Sequence, residues 1–367
     1  MLKIMPRSKE AIGRGMRLYL SGASVYGVGI VLCRSLPYLQ HILSSTSQQI
    51  LLYLYWSFLI ISPVYYFLFS TKYSTSRPYY VVSGVKKILL YVARREFLKK
   101  REGDNLKRQE SNPHREGDNP ISETSFLEKE EKTALLFMGV KFFFLPLMVN
   151  FFINNFSNLL QFKNSAIDLL GSFGSGASFF PWYSTILAFA FTIDTFVFAA
   201  GYLFESTSLK NRVQSVEPTL LGWAVALICY PPFNSLVGRY VPWGANDHVL
   251  FWNEQWTTIF QIILVLLLTI YVTATLALGI RSSNLTNRGI VSRFPYSIVR
   301  HPAYISKNMI WWITLLPVID WKFAMGMAFW SFIYYLRAIT EEKHLSQDQK
   351  YNDYKKKVKW MFIPYVI

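Results

Sequence analysis

The chain has 367 residues, 52% hydrophobic and 17% aromatic, with a formal net charge of +16 from 38 Lys and Arg against 22 acids. That apolar content is high for a soluble domain and points to a membrane protein. The basic excess does not indicate nucleic acid: no recognised module accompanies it, and basic loops facing anionic lipid headgroups explain it.

The predicted elements, in chain order, are mostly apolar helices. The N-terminus is polar and basic, and its first apolar run lacks a small-residue cleavage site, so no cleaved signal peptide is expected. Candidate spans are Leu18 to Leu36, Ile50 to Ser70, Ala134 to Phe156, Pro181 to Phe204, Thr219 to Val237 and Thr257 to Ile280. A closing pair follows, Tyr304 to Ile319 and Phe323 to Leu336, short enough to form a tight hairpin. The expected fold is an all-α integral membrane protein with about eight transmembrane helices. Residues 1–256 form an N-terminal membrane bundle with a cytoplasmic loop over 73–132, and 257–367 a membrane core with a C-terminal tail. Cys33 and Cys229 fall in separate apolar segments and read as small buried hydrophobes, not as a disulfide or metal ligands.

Charge orients these spans. With the N-terminus inside, Lys3, Arg7, Arg14, the 73–132 segment, Lys210, Arg212, Arg281, Arg293, Arg300 and Lys355 to Lys357 are all cytoplasmic. The opposite loops hold few cations, as the positive-inside rule requires. In the 73–132 segment, Tyr79 to Tyr91 suits the membrane interface. The charge-dense remainder, with REGDN at Arg101 to Asn105 and again at Arg115 to Asn119, reads as a mobile solvated loop.

Several polar residues interrupt the apolar spans. Asp194 needs a protein or water partner; it could pair with Lys141, line a substrate cavity or make a plain interhelical contact. Pro231 and Pro232 are expected to kink or interrupt the span over 219–237. Gly171, Gly174 and Gly176 follow no strand, so they read as a loop and not as a dinucleotide fingerprint. No βαβ pattern occurs, so a nucleotide-like cofactor would need a pocket built by helices.

The densest chemistry lies at RFPYSIVRHPAYISKNMIWW, Arg293 to Trp312. Pro302 is placed to start a helix after an extended His301. Tyr304, Asn308 and Trp311 or Trp312 then recur at helical spacing. On the returning helix Arg337 stands one turn before Glu341, beside Glu342. Each has a bland alternative: an acidic surface turn for the glutamates, snorkelling for Arg337, and an interfacial belt for Trp311, Trp312 and Trp321.

RHPxY, an apolar hairpin, R-x-x-x-EE, then Tyr351, Tyr354, Val358 and Pro364 together resemble the isoprenylcysteine carboxyl methyltransferase family and its phospholipid-methylating relatives. The resemblance covers roughly the last 110 residues, from about Trp256. It implies a membrane methyltransferase that uses S-adenosylmethionine, with the site on the cytoplasmic face and the tail from Tyr351 to Pro364 as a lid. By motif, His301, Pro302, Tyr304, Glu341 and Glu342 surround the cofactor. Tyr296, Asn308, Tyr351 and Tyr354 are candidates to add aromatic and polar contacts. Arg337 or Arg300 would clamp an acceptor carboxylate, since guanidinium grips it with paired hydrogen bonds, and Glu341 could serve an amine acceptor as base.

The implied partners are the bilayer and a lipid or prenylated substrate; no metal or nucleic acid is expected. Membrane sterol reductases, which bind NADPH, share an RHP-like segment and a Pro-Tyr tail such as Pro364 and Tyr365. They carry an Arg-Asp pair and a cysteine after the second helix, where this chain has Thr340, Glu341 and Glu342. A non-catalytic scaffold is the third alternative.

Overall fold

The computed structural model describes residues 9–69, 76–109, 126–171, 180–206 and 208–366. The helices are α1 (Lys9–Ser35), α2 (Pro37–Ile42), α3 (Ser45–Phe69), α4 (Arg77–Gln109), α5 (Lys129–Gly171), α6 (Phe180–Leu203), α7 (Leu220–Leu227), α8 (Phe233–Gly238), α9 (Glu254–Leu278), α10 (Pro302–Leu315), α11 (Trp321–Leu345) and α12 (Gln349–Lys357). Among the described residues the strands are a single short antiparallel ladder, β1 (Ser215–Val216) with β2 (Thr286–Asn287). Among the described residues five helices are long and apolar enough to cross a membrane: α1, α3, α5, α6 and α9. The protein is an all-α chain of membrane type.

The remaining candidate spans depart from the sequence expectation for visible reasons. Residues 219–237 do not form one helix. α7 ends before Pro231 and Pro232, and α8 restarts after them, because proline removes the backbone donors a continuous helix needs. α10 has only 14 residues, short of the roughly 20 that span hydrocarbon. α11 has 25 residues but carries Arg337, Glu341, Glu342, Lys343 and His344 in its last turns.

The charged stretch expected as a loop instead continues α4 to Gln109, with the first REGDN copy inside the helix. Glu, Lys, Arg, Leu and Gln form helix readily even where they cannot build a core. The second REGDN copy, Gly174 and Gly176 lie outside the described residues.

The chain divides into two compact units, residues 1–32 with 52–139, and 33–51 with 140–367. The boundary expected at residue 256 falls inside the second. In the first unit, small residues on α1 admit aromatic side chains of α3, the membrane alternative to a solvent-driven core. A Cβ at Gly22 would stand 2.6 Å from the Phe58 ring, and the Tyr55 hydroxyl donates to the Ala23 carbonyl at 3.0 Å. Glu131 accepts from Ser83 at 2.7 Å and from Lys87 at 2.8 Å.

In the second unit α9 packs against both α6 and α10. Tyr183, Leu187, Leu264, Leu267, Leu268 and Ile310 form the shared core. Side-chain caps fix the starts of α9 and α11: Asn253 accepts from Trp256 N and Asp320 from Phe323 N, satisfying amides that the first turn leaves unpaired. Arg293 closes the end of α9 by donating to the Ala277 carbonyl at 2.7 Å, where a cation also suits the helix dipole. The β1–β2 ladder ties the segment after α6 to the segment after α9. The fold thus places the start of α10, the end of α11 and the tail side by side.

Candidate functional site

Pro302 is the first residue of α10, and His301 stands before it outside helical geometry, at φ −126° and ψ 58°. The tail comes back to this corner. The amides of Arg300 and His301 donate to the carbonyls of Trp360 and Met361, each at 2.9 Å. The Arg300 guanidinium donates to Glu342 Oε1 at 2.6 Å and to the carbonyls of Val358 and Lys359. Glu342 Oε1 also lies 3.2 Å from His301 Nε2, and Glu342 Oε2 lies 2.8 Å from Lys355 Nζ.

This is a saturated clamp: one carboxylate gathers three basic side chains and fastens the tail to the start of α10. Burial by itself would raise the Glu342 carboxyl, but hydrogen bonds from His301, Arg300 and Lys355 hold it well below the usual carboxylate range. Tyr351, Tyr354 and Val358 bury beneath the tail against Ile290, Tyr296 and Leu345. The Tyr354 hydroxyl donates to the Tyr296 carbonyl at 2.7 Å.

Beside the clamp is a partly open cavity of about 670 Å³, lined by Tyr296, Tyr304, Lys307, Arg337, Glu341 and Tyr354 among others. That volume is within the usual range for small-molecule sites. Arg300 and His301 reach its wall; Pro302, Asn308 and Glu342 do not. Asn308 donates back to the Tyr304 carbonyl at 3.0 Å along its own helix.

Glu341, adjacent to Glu342 but exposed, accepts from the Tyr304 hydroxyl at 2.7 Å and keeps its second oxygen free of protein donors among the described residues. The His301 and Tyr304 rings stack at 5.3 Å and 15°, giving a flat aromatic wall. Tyr334 meets Tyr304 edge-on at 5.5 Å.

Arg337 contrasts with Arg300. It is only 8% exposed, donates to Asn284 Oδ1, and faces the Tyr304, Tyr334 and Tyr230 rings at 5.2, 5.7 and 6.0 Å. No carboxylate pairs with it among the described residues. Cation–π contacts stabilise such a guanidinium while leaving donors for a ligand.

The sequence marks Lys307 only as a spare cation near the site and does not single out His344 or Glu217; Asp194 it marks for a polar partner or a cavity wall. Lys307, one turn after Tyr304, lines the cavity, its ammonium over the Tyr271 and Trp311 rings at 5.7 and 5.3 Å. Of the readings open for Asp194, the interhelical contact and the cavity wall are seen: it accepts from Tyr271 at 2.9 Å and Thr275 at 2.6 Å, joining α6 to α9 at the cavity. Lys141 donates to the Leu203 carbonyl. His344 and Glu217 complete the far wall; burial lowers the His344 imidazole despite the attraction of Glu217 and Glu341. The available signal was a lysine inside an apolar helix, which is costly without a purpose.

The residues fit the demands of S-adenosylmethionine: an unspent carboxylate for an ammonium, buried cations for a carboxylate, and stacked aromatic rings for a base and a sulfonium. Comparison with known protein families, curated proteins and solved structures finds no match for this chain.

Proposed function

We propose that the protein is a membrane-embedded, S-adenosylmethionine-dependent methyltransferase of the isoprenylcysteine carboxyl methyltransferase type, acting on a lipid or lipidated carboxylate. In this reading the chain has about eight membrane segments, the short α7–α8 and α10–α11 pairs included, with both termini and the site on the cytoplasmic face. The observation that carries it is convergence: the RHPxY segment, Glu341 and the tail tyrosines, separated in sequence, border one cavity.

Bound S-adenosylmethionine would supply a methyl group already activated on sulfur. The work left to the protein is holding and drying. Glu341 would accept from the ammonium or a ribose hydroxyl, and the Tyr304 hydroxyl fixes the orientation of that carboxylate. His301 and Tyr304 provide the aromatic face. The tail, clamped by Arg300 and Glu342, excludes water on the side facing Tyr296 and Tyr354. Arg337 would grip the acceptor carboxylate through two parallel hydrogen bonds. An ionised acceptor requires no general base, so none is assigned.

A second reading, NADPH binding by a sterol-reductase-like enzyme, draws support from Lys307, Arg281 and Arg288, which add cations to the cavity wall. Calorimetry of the detergent-solubilised protein separates the two. Saturable S-adenosylmethionine binding, weakened in Glu341→Ala and His301→Ala, supports the first. NADPH binding in its place, or S-adenosylmethionine binding unchanged in both variants, overturns it. Transfer of labelled methyl into total lipid and protein extracts then identifies the acceptor.

A further inference from the structure

We infer that Lys307 and Arg337 form an oxyanion-binding subsite in the middle of the cavity, built for the phosphate or carboxylate head of an amphiphile whose hydrocarbon tail lies against α5 and α6. It shares Arg337 with the acceptor clamp proposed above but needs no cofactor, and it is argued from the lining of the cavity.

Arg337 is buried and Lys307 half-buried, and cations so placed are costly unless matched. Arg337 has one side-chain acceptor, Asn284, and otherwise meets aromatic faces. Lys307 makes no hydrogen bond or ion pair among the described residues, and its ammonium rests over two aromatic rings. Asp194 and Asp247 are within electrostatic reach of Lys307, yet neither forms an ion pair with it. Both oxygens of Asp194 are engaged by Tyr271 and Thr275. Both cations thus line the one cavity with donors to spare, Lys307 from α10 and Arg337 from α11.

Their surroundings select the ligand. Tyr304, Tyr334 and Tyr230 surround the Arg337 guanidinium, which strengthens a charge-assisted hydrogen bond by excluding water. On α5 and α6 the wall sets Met148, Phe151, Phe191 and Phe198 among Asn154, Asn155, Asp194 and Thr195, and the four apolar side chains give hydrocarbon a surface to lie on. Free phosphate would use only the cationic half; an anionic lipid uses both.

The test is saturable binding to the full-length protein in detergent, read as a shift in unfolding temperature. The probes are dihexanoyl phosphatidic acid, dihexanoyl phosphatidylcholine, a dodecanoate salt and inorganic phosphate. Expected are saturation by phosphatidic acid or dodecanoate, little by phosphatidylcholine, and a dissociation constant raised about 10- to 100-fold in Lys307→Gln. Lys307→Arg should restore most of the affinity.

Saturation by inorganic phosphate with equal affinity retains the cationic subsite and overturns the tail slot. Equal affinities in wild type and Lys307→Gln, or no saturable anion binding, overturn the inference. If Lys307→Gln does not fold, native mass spectrometry of the wild type decides. Retention of phosphatidic acid over phosphatidylcholine supports the subsite, and indifference between them removes it. None of these readouts involves S-adenosylmethionine, so cofactor binding and the anion subsite can fail separately, while loss of the subsite would also remove Arg337 as acceptor clamp.

Discussion

Two buried arginines on either side of one cavity wall have opposite surroundings. Arg300 has a carboxylate and two tail carbonyls as acceptors, whereas Arg337 has one amide oxygen and three aromatic faces. The first arrangement consumes its donors in holding the tail; the second reserves them. Neighbouring glutamates divide in the same way, Glu342 buried under three bases and Glu341 exposed with one tyrosine donor. A cluster that looks uniform in sequence is thus half architecture and half site. The clearest way to break this division is to remove one member of each half.

Glu342→Ala should give the largest effect on stability. It leaves Arg300 buried without its acid, and removing one partner of a buried pair typically costs about 3–5 kcal/mol. Denaturation in mixed micelles measures this, with the tail expected to become protease-sensitive. The same group sets a pH dependence. Its folded-state pKa is depressed below the ordinary 4.5, so the unfolded chain binds more protons in that range and stability rises with pH. The contribution is fully present above 4.5 and is lost as pH falls below it. Glu342→Gln should flatten that acid limb of the stability profile. An unchanged limb would mean that the clamp does not hold the tail.

Arg337→Met tests the other half. Because no carboxylate is stranded by its loss, the unfolding temperature should move little, while transfer of labelled methyl falls about 100-fold, the usual scale for one preorganised donor. A large loss of stability with proportionate loss of activity would place Arg337 with Arg300 as architecture. Tyr304→Phe removes only the hydroxyl that orients Glu341, and should weaken S-adenosylmethionine binding about tenfold, the equivalent of roughly 1.4 kcal/mol. Calorimetry checks it, and unchanged affinity would show that Glu341 needs no such orientation.

The sequence disclosed the elements better than their partnerships. The start of α10 at Pro302, the break at Pro231 and Pro232, and the one-turn spacing of Arg337 and Glu341 follow from local rules of proline geometry and helical period. Which glutamate is buried does not. Glu341 and Glu342 stand about 100° apart around α11, and the choice depends on where the tail from Val358 to Met361 returns. Lys307 is legible only in part: Trp311 stands one turn on within α10, but its other aromatic neighbour, Tyr271, comes from α9, which no spacing within α10 announces. Asn308 followed the helical stripe of Tyr304, yet its amide turns back onto the helix. Asp194 makes an interhelical contact, one of the readings open in the sequence, but that its partners are two hydroxyls on α9 follows only from the packing of α6 on α9.

The smallest expected effect separates the tail as a packed lid from the tail as a tether. Tyr354 buries its ring with Tyr351 and Val358, and its hydroxyl alone reaches the Tyr296 carbonyl at 2.7 Å. Tyr354→Phe retains the ring and removes one neutral hydrogen bond, worth about 1 kcal/mol. If packing and the Glu342 clamp hold the lid, the variant unfolds slightly earlier while its affinity for S-adenosylmethionine stays within about twofold. If the hydroxyl is itself the latch, affinity falls while stability is preserved, because an open lid admits water without unfolding the bundle. Measuring both quantities on one preparation distinguishes the outcomes, since lid opening and global unfolding are different equilibria.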